Sequence, residues 1–222
     1  LNHKKNFFLD DGISTFSVQD KISKNTDLNK VYYENRYIGT LLVFFSKILL
    51  LDFRNFININ WFTCFNINKL SNQIIINHSF NSIKKTLITN QDSSNKFYFI
   101  GSPISEDGKL SLNNEIKCIK KVAKFFSERK ISFVYCVHRR ESKRKIDLIL
   151  NIENCKLRSA KYPLEIDFLI SGDNLSCFGS FFSTTLLSLP LIYKISTCLM
   201  FVIEKDLFKS DFRNTYLKIL EN

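Results

Sequence analysis

The chain has 222 residues, 45% of them hydrophobic, with six glycines and three prolines, which is enough for a sizeable core in one large domain or two small ones. Thirty-two Lys and Arg against twenty-one Asp and Glu give a net charge of +11; such a surplus favours polyanions, anionic membrane surfaces or phosphorylated ligands without choosing among them. Six scattered cysteines contain no CxxC pair, which argues against a zinc site and fits a reduced, cytosolic setting.

The chain opens at Leu1 and reaches strand-like sequence within "LNHKKNFFLDDG", with no signal peptide ahead of it; we read it as a fragment from which an N-terminal part is missing. "NFFLDDG" predicts a short strand ending in a turn at Asp10, Asp11 and Gly12. Residues 36–51 predict a helix. The apolar run "YIGTLLVFFSKILLLDF" is broken by Ser46 and Lys47 and falls short of the roughly 20 apolar residues of a membrane span. We expect that helix to pack on a core rather than lie on a membrane. "INWFTCF" and "NQIIINH" predict strands, and "TNQDSSNK" at 89–96 a linker. Residues 1–93 thus form the remnant of an N-terminal α/β domain with its linker.

From residue 94 to 200 the pattern is regular. "KFYFIG" is an apolar strand running into a Ser-Pro turn, and from Ser111 a helix places Ile116, Ile119, Val122, Ala123 and Phe126 on one face and lysines on the other. "ISFVYCV" is continuously apolar, as in a parallel strand covered on both faces. "YPLEIDFLISG" predicts a helix with Pro163 near its first position and Gly172 just past its end. "LSCFGSFF" predicts a buried strand and "STTLLSL" the start of the next helix; residues 201–222 predict a C-terminal helix. This β-α-β-α-β alternation implies a Rossmann-type, doubly wound parallel sheet. Ligands of such sheets collect outside the C-terminal strand ends, where Gly101, His138 and Ser183 stand.

Each candidate has a purely structural alternative. "YCVHRRES" puts His138 directly after an apolar run, either at a solvated basic strand end or in a crevice. Ser183, Thr184 and Thr185 offer hydroxyls beside the unpaired amides of a helix start, for capping or for a phosphate. Glu165 is either a favourable charge in a first helical turn or an acceptor for a ribose diol. Asp10 and Asp11 make a turn, or one of them is a general base on a sugar hydroxyl. Glu106 to Gly108, a second "EDG" in the loop after the first strand of this half, is either an extra site element or a turn, and we read it as the turn.

Taken in order, "LDDGISTF", "YCVHRRES", Pro-Leu-Glu and "SFFSTTLLSL" resemble the acidic, His-Pro and Ser/Thr motifs of the bacterial sialyltransferases of glycosyltransferase family 52 and its relatives, which decorate lipooligosaccharide or capsule. "YFIGSP" and "WFTCF" are in character for the family, and the resemblance runs from about residue 7 to 195. It implies a GT-B architecture of two Rossmann-like domains facing across a cleft. It also implies inverting, metal-independent transfer of sialic acid from CMP-sialic acid to a galactose-type hydroxyl, with no cofactor. By position, Asp10 or Asp11 matches the general base and His138 the histidine that assists departure of CMP. Glu165 matches the ribose-binding acid, Ser183 and Thr184 the phosphate contacts, and Gly101 and Arg139 belong to the donor side. Two departures stand out. Arg139 replaces the proline that would stiffen the strand exit, and almost nothing precedes Asp10, so donor binding is better supported than transfer.

The expected partners are a nucleotide-sugar donor and a glycan acceptor, not nucleic acid, with peripheral association at the inner membrane and a homodimer as further expectations. Two alternatives remain open: another sugar nucleotide, or a non-catalytic basic protein that binds nucleic acid or an anionic surface. The dispersed Lys and Arg, and 22 phenylalanines that look mostly like core, argue against the second.

Overall fold

A computed structural model describes residues 7–9, 15, 19, 22–23, 60–70, 73–86 and 95–208. The chain forms two compact units, Leu1–Asn81 and Ser82–Asn222. The expected boundary at 93 therefore falls inside the second. The helix expected over 36–51 lies outside the described residues. Among the described residues no helix is long and apolar enough to cross a membrane.

In the first unit, β1 (Phe7–Leu9), β2 (Asn60–Thr63) and β3 (Ile75–Asn77) form a three-stranded sheet in the order β1-β2-β3. Both pairs are parallel, with Phe8 opposite Trp61 and Trp61 opposite Ile75. Trp61, Phe65 and Ile67 are buried, with Phe8, Ile22, Cys64 and Ile75 packed on them. Backbone groups beside this small core are met by side chains: Asn60 Oδ1 accepts the Ile74 amide at 2.8 Å and Thr63 Oγ1 the Phe65 amide at 3.0 Å. A short helix, α1 (Asn81–Thr86), follows.

The second unit contains β4 (Lys96–Ile100), α2 (Leu112–Glu128), β5 (Ser132–Val137), α3 (Lys143–Leu150), β6 (Cys155–Ser159), α4 (Leu164–Ser171), β7 (Cys177–Ser180), α5 (Thr185–Ile192) and β8 (Thr197–Met200). Its five strands are ordered β6-β5-β4-β7-β8 and every pair is parallel. The Rossmann-type sheet expected for this half is present, and it is larger than the sequence suggested. The α3–β6 unit intervenes between the second and third expected strands, and β8 is added at the far edge.

Local chemistry accounts for these elements. Ser111 caps α2, its side chain accepting from the Asn114 amide, and Ile116, Ile119, Val122, Ala123 and Phe126 all face the core. Phe126 stacks on Phe97 of β4 with ring centroids 3.9 Å apart, and Phe97, Phe99, Phe133 and Tyr135 are fully enclosed. Burying one such ring contributes about 1.5–3 kcal/mol, so the β4–β5 centre carries much of the stability. Pro163 stands one residue ahead of α4, and Gly172 ends it at φ +68, in the left-handed region that glycine tolerates best. Residues 201–208 do not begin the expected C-terminal helix. They hold only a 3-10 turn at Lys205–Leu207, and residues 209–222 lie outside the described residues.

Candidate functional site

Because β4 is flanked by β5 on one side and β7 on the other, the chain changes winding direction between β4 and β7. The loops leaving these three strands share one rim, where open α/β sheets bind ligands. Gly101, His138 and the Ser183–Thr184 pair each lie within four residues of one of these strand ends, so the topology brings three predicted segments to neighbouring strands.

The loop after β5 is a tight turn, with the Glu141 amide donating to the His138 carbonyl at 3.0 Å. The Glu141 carboxylate folds back beneath it. One oxygen accepts the His138 amide at 2.8 Å and the other the Tyr135 hydroxyl at 2.6 Å. The Arg140 amide donates to Nδ1 of the His138 ring at 3.2 Å. Partial burial and the neighbouring Arg140, Arg139 and Lys145 cations lower the pKa of His138, with Asp107 pulling the other way. The ring therefore favours its neutral form. Arg139, at the tip of the turn, is exposed.

Under this turn lies a buried charge cluster. Lys145, in the first turn of α3, is wholly enclosed; its ammonium donates to Glu115 at 2.5 Å, Glu141 at 2.8 Å and the Ser102 carbonyl at 2.8 Å, with Glu106 at 3.6 Å. Burial opposes the charged form of Lys145, but Glu141 and Glu115 outweigh it and raise its pKa. Burial also raises Glu115, against the pull of Lys145 and Ser105. Glu106 moves the other way: despite desolvation, the Ser142 amide and Lys145 hold it below the ordinary carboxylate value.

The "EDG" loop is a turn, with Gly108 at φ +69, but it is also a clamp on the His138 segment. Glu106 accepts from both the amide and the hydroxyl of Ser142, at 2.9 and 3.0 Å, while Ser142 caps α3. Asp107 receives the Arg140 guanidinium through both nitrogens, at 3.1 and 3.4 Å. Lys109 pairs with Asp107 at 3.2 Å and lies 5.9 Å from the centre of the Phe182 ring. A continuous series of contacts thus runs along the rim from His138 to the residue preceding Ser183. Gly101 is required beneath it: a Cβ there would come within 2.7 Å of the Tyr135 hydroxyl, 2.8 Å of Glu141 and 2.9 Å of the Cys136 carbonyl.

At the end of β7, buried Ser180 donates to the Ile100 carbonyl at 2.8 Å and accepts the Phe182 amide at 3.2 Å, tying the two rim loops together. Ser183 accepts the Thr185 amide at 3.3 Å and shares a 2.7 Å hydrogen bond with the Thr185 hydroxyl. Thr184 already has helical backbone angles, and its side chain does not cap α5. Two or three hydroxyls therefore stand at a helix start, a setting that suits an anion.

Glu165, in the first turn of α4, adjoins the same helix. Its carboxylate accepts the Ser188 hydroxyl at 2.6 Å, and the Tyr193 hydroxyl donates to its carbonyl at 2.7 Å. Asp10 and Asp11 follow β1 in sequence and lie outside the described residues. Among the described residues no cluster of His, Cys, Asp or Glu is arranged to hold a metal ion.

Sequence reasoning missed Lys145, Glu115 and Ser180. The available signal for the first was local: Ser142 as a helix cap, with Glu141 just before it and Lys145 after it at i, i+4 spacing. No protein-family model matches the chain, and no curated protein matches it.

Proposed function

We propose that the chain is a glycosyltransferase of the sialyltransferase type, binding CMP-sialic acid on the rim of the five-stranded sheet. The observation that most supports this reading is the side-by-side placement of the His138 turn, Gly101 and the Ser183–Thr184 helix start at the winding reversal. Loss of CMP leaves an oxocarbenium-like sugar while negative charge grows on the departing phosphate. Donors fixed in advance at that phosphate stabilise the transition state more than the ground state. His138 is the ring donor, Arg139 adds positive potential beside it, and Ser183 and Thr184 supply hydroxyls. Glu165 is the acid for the ribose, in exchange for its bond to Ser188. Asp10 or Asp11 is the general base on the acceptor, a galactose-type hydroxyl of lipooligosaccharide or capsule, and the architecture that goes with this reading is GT-B. The cell compartment that goes with this reading is the cytoplasm, at the face of the inner membrane.

A thermal-shift titration with CMP, UDP and CMP-sialic acid, on wild type and His138→Ala, tests the reading. A ligand that binds only the folded state stabilises it by roughly 2.7 kcal/mol at a hundredfold excess over its dissociation constant. A midpoint raised by the CMP ligands alone, and blunted by His138→Ala, is the expected result. A rise with UDP instead points to a different donor. No response from a folded protein, together with salt-sensitive affinity for a polyanion, would sink the reading.

A further inference from the structure

We propose that Glu141 is a positioning residue that, through the 138–141 turn, holds the His138 ring in the tautomer with its proton on Nε2. As a statement about donor binding this rests on the function proposed above; as a statement about the ring it stands on geometry alone.

A neutral imidazole has one donor nitrogen and one acceptor nitrogen. The Arg140 amide can only donate, and it points at Nδ1 at 3.2 Å, so Nδ1 is the acceptor and Nε2 carries the hydrogen. The amide is held in that place from two sides. Glu141 closes the turn by accepting the His138 amide with its carboxylate while donating its own amide to the His138 carbonyl. Asp107 grips the Arg140 side chain with both oxygens. Glu141 is itself immobilised, buried between the Tyr135 hydroxyl and the Lys145 ammonium, with no room for a side chain at position 101. Arg139 stands where a proline would stiffen the strand exit, and the carboxylate beneath the turn supplies stiffening by hydrogen bonds instead.

Partial burial, and after it the facing Arg140, Arg139 and Lys145 cations against the Asp107 carboxylate, favour the neutral ring, and its Nε2–H is then a fixed donor rather than an acid that must first be charged.

Nitrogen-15 NMR of the imidazole rings at pH 8 reads the tautomer without any nucleotide, so its outcome is independent of the donor titration. His138→Gln assigns the signal. Wild type is expected to show one species, with a pyridine-type Nδ1 and a protonated Nε2. In the double variant Glu141→Ala/Lys145→Met, which removes both charges of the pair, the two nitrogen shifts are expected to converge toward a mixture. Asp107→Ala, at a part-exposed side chain, is expected to move them in the same direction with little change in melting temperature. A protonated Nδ1 in wild type overturns the tautomer. An unchanged single tautomer in the folded double variant overturns the role of Glu141.

Discussion

Lys145 and Glu141 stand four positions apart, with their charged atoms 2.8 Å from each other, and neither side chain is exposed to water. An ion pair in that setting is sustained by completeness, because removing one member leaves the others desolvated and uncompensated. Lys145→Met should therefore lower stability by about 3–5 kcal/mol. Adding Glu115→Gln and Glu141→Gln to it should recover a large part of the loss. Urea denaturation midpoints of the single and triple variants decide the matter; equal losses in both would mean that the lysine stem, not its charge, matters.

Gly101→Ala tests the packing of the same turn. The added methyl would press on Tyr135, Glu141 and the Cys136 carbonyl at 2.7–2.9 Å, and overpacking of this kind costs about 1–3 kcal/mol. Combining it with Tyr135→Phe should not restore stability, since the carbonyl remains. The comparison needs only melting temperatures of the three proteins.

Glu165 separates two roles that share one carboxylate. Ser188→Ala removes a 2.6 Å hydrogen bond between α4 and α5 and should cost about 1 kcal/mol. It should leave stabilisation by CMP in place, or increase it, because the acid is released. Glu165→Gln should abolish most of the CMP response. Should both variants respond to CMP like wild type, Glu165 is a helix tie and nothing more.

Alkaline pH should unfold the second unit early. Burial pushes the Tyr98 and Tyr193 hydroxyls up to about 12, and burial with the facing Glu141 holds Tyr135 well above 10. Lys145 is raised above its usual value as well, its carboxylates outweighing burial. All four keep protons in the folded state that the unfolded chain releases from about pH 10. The folded state therefore binds more protons above that pH, and stability falls as pH rises, by about 1.4 kcal/mol per pH unit for each proton. Denaturation curves at pH 8, 10 and 11 should show a steepening loss. A flat profile would mean that these tyrosines are accessible.

How far the fold was legible in the sequence depended on which strands are covered on both faces. β4 and β5 are buried along nearly their whole length, and so appear as unbroken apolar runs. β6 lies at a sheet edge, with Lys156 and Arg158 in a five-residue strand that is nowhere fully buried, and no apolar run marks it. α3 begins "KRK", which looks like solvated charge. Lysine is rarely buried without a partner; Glu141 is four positions away, but Glu115, Glu106 and the Ser102 carbonyl meet Lys145 from sequence distances that no local pattern encodes. The strand-end position of His138 was readable for the same reason as β5 itself. The turn that aims it was not, because Asp107 grips Arg140 from a separate loop and the Glu141 carboxylate beneath it is fixed by side chains outside the turn, Tyr135 and Lys145.

Strand β4 occupies the centre of its sheet, but its two neighbours come from very different distances along the chain. Pairing with β5 can begin once α2 has formed. The other side must wait for β7, and Ser180 bonds to the Ile100 carbonyl across a sequence separation of 80. At a synthesis rate of about 5–20 residues per second, that span takes roughly 4–16 s to emerge. For that interval the nascent chain displays the open edge of β4, with Tyr98 and Phe99 beside it. A ribosome stalled between the two strands would present an unpaired aromatic edge, the kind of surface that chaperones bind and that neighbouring chains can template upon.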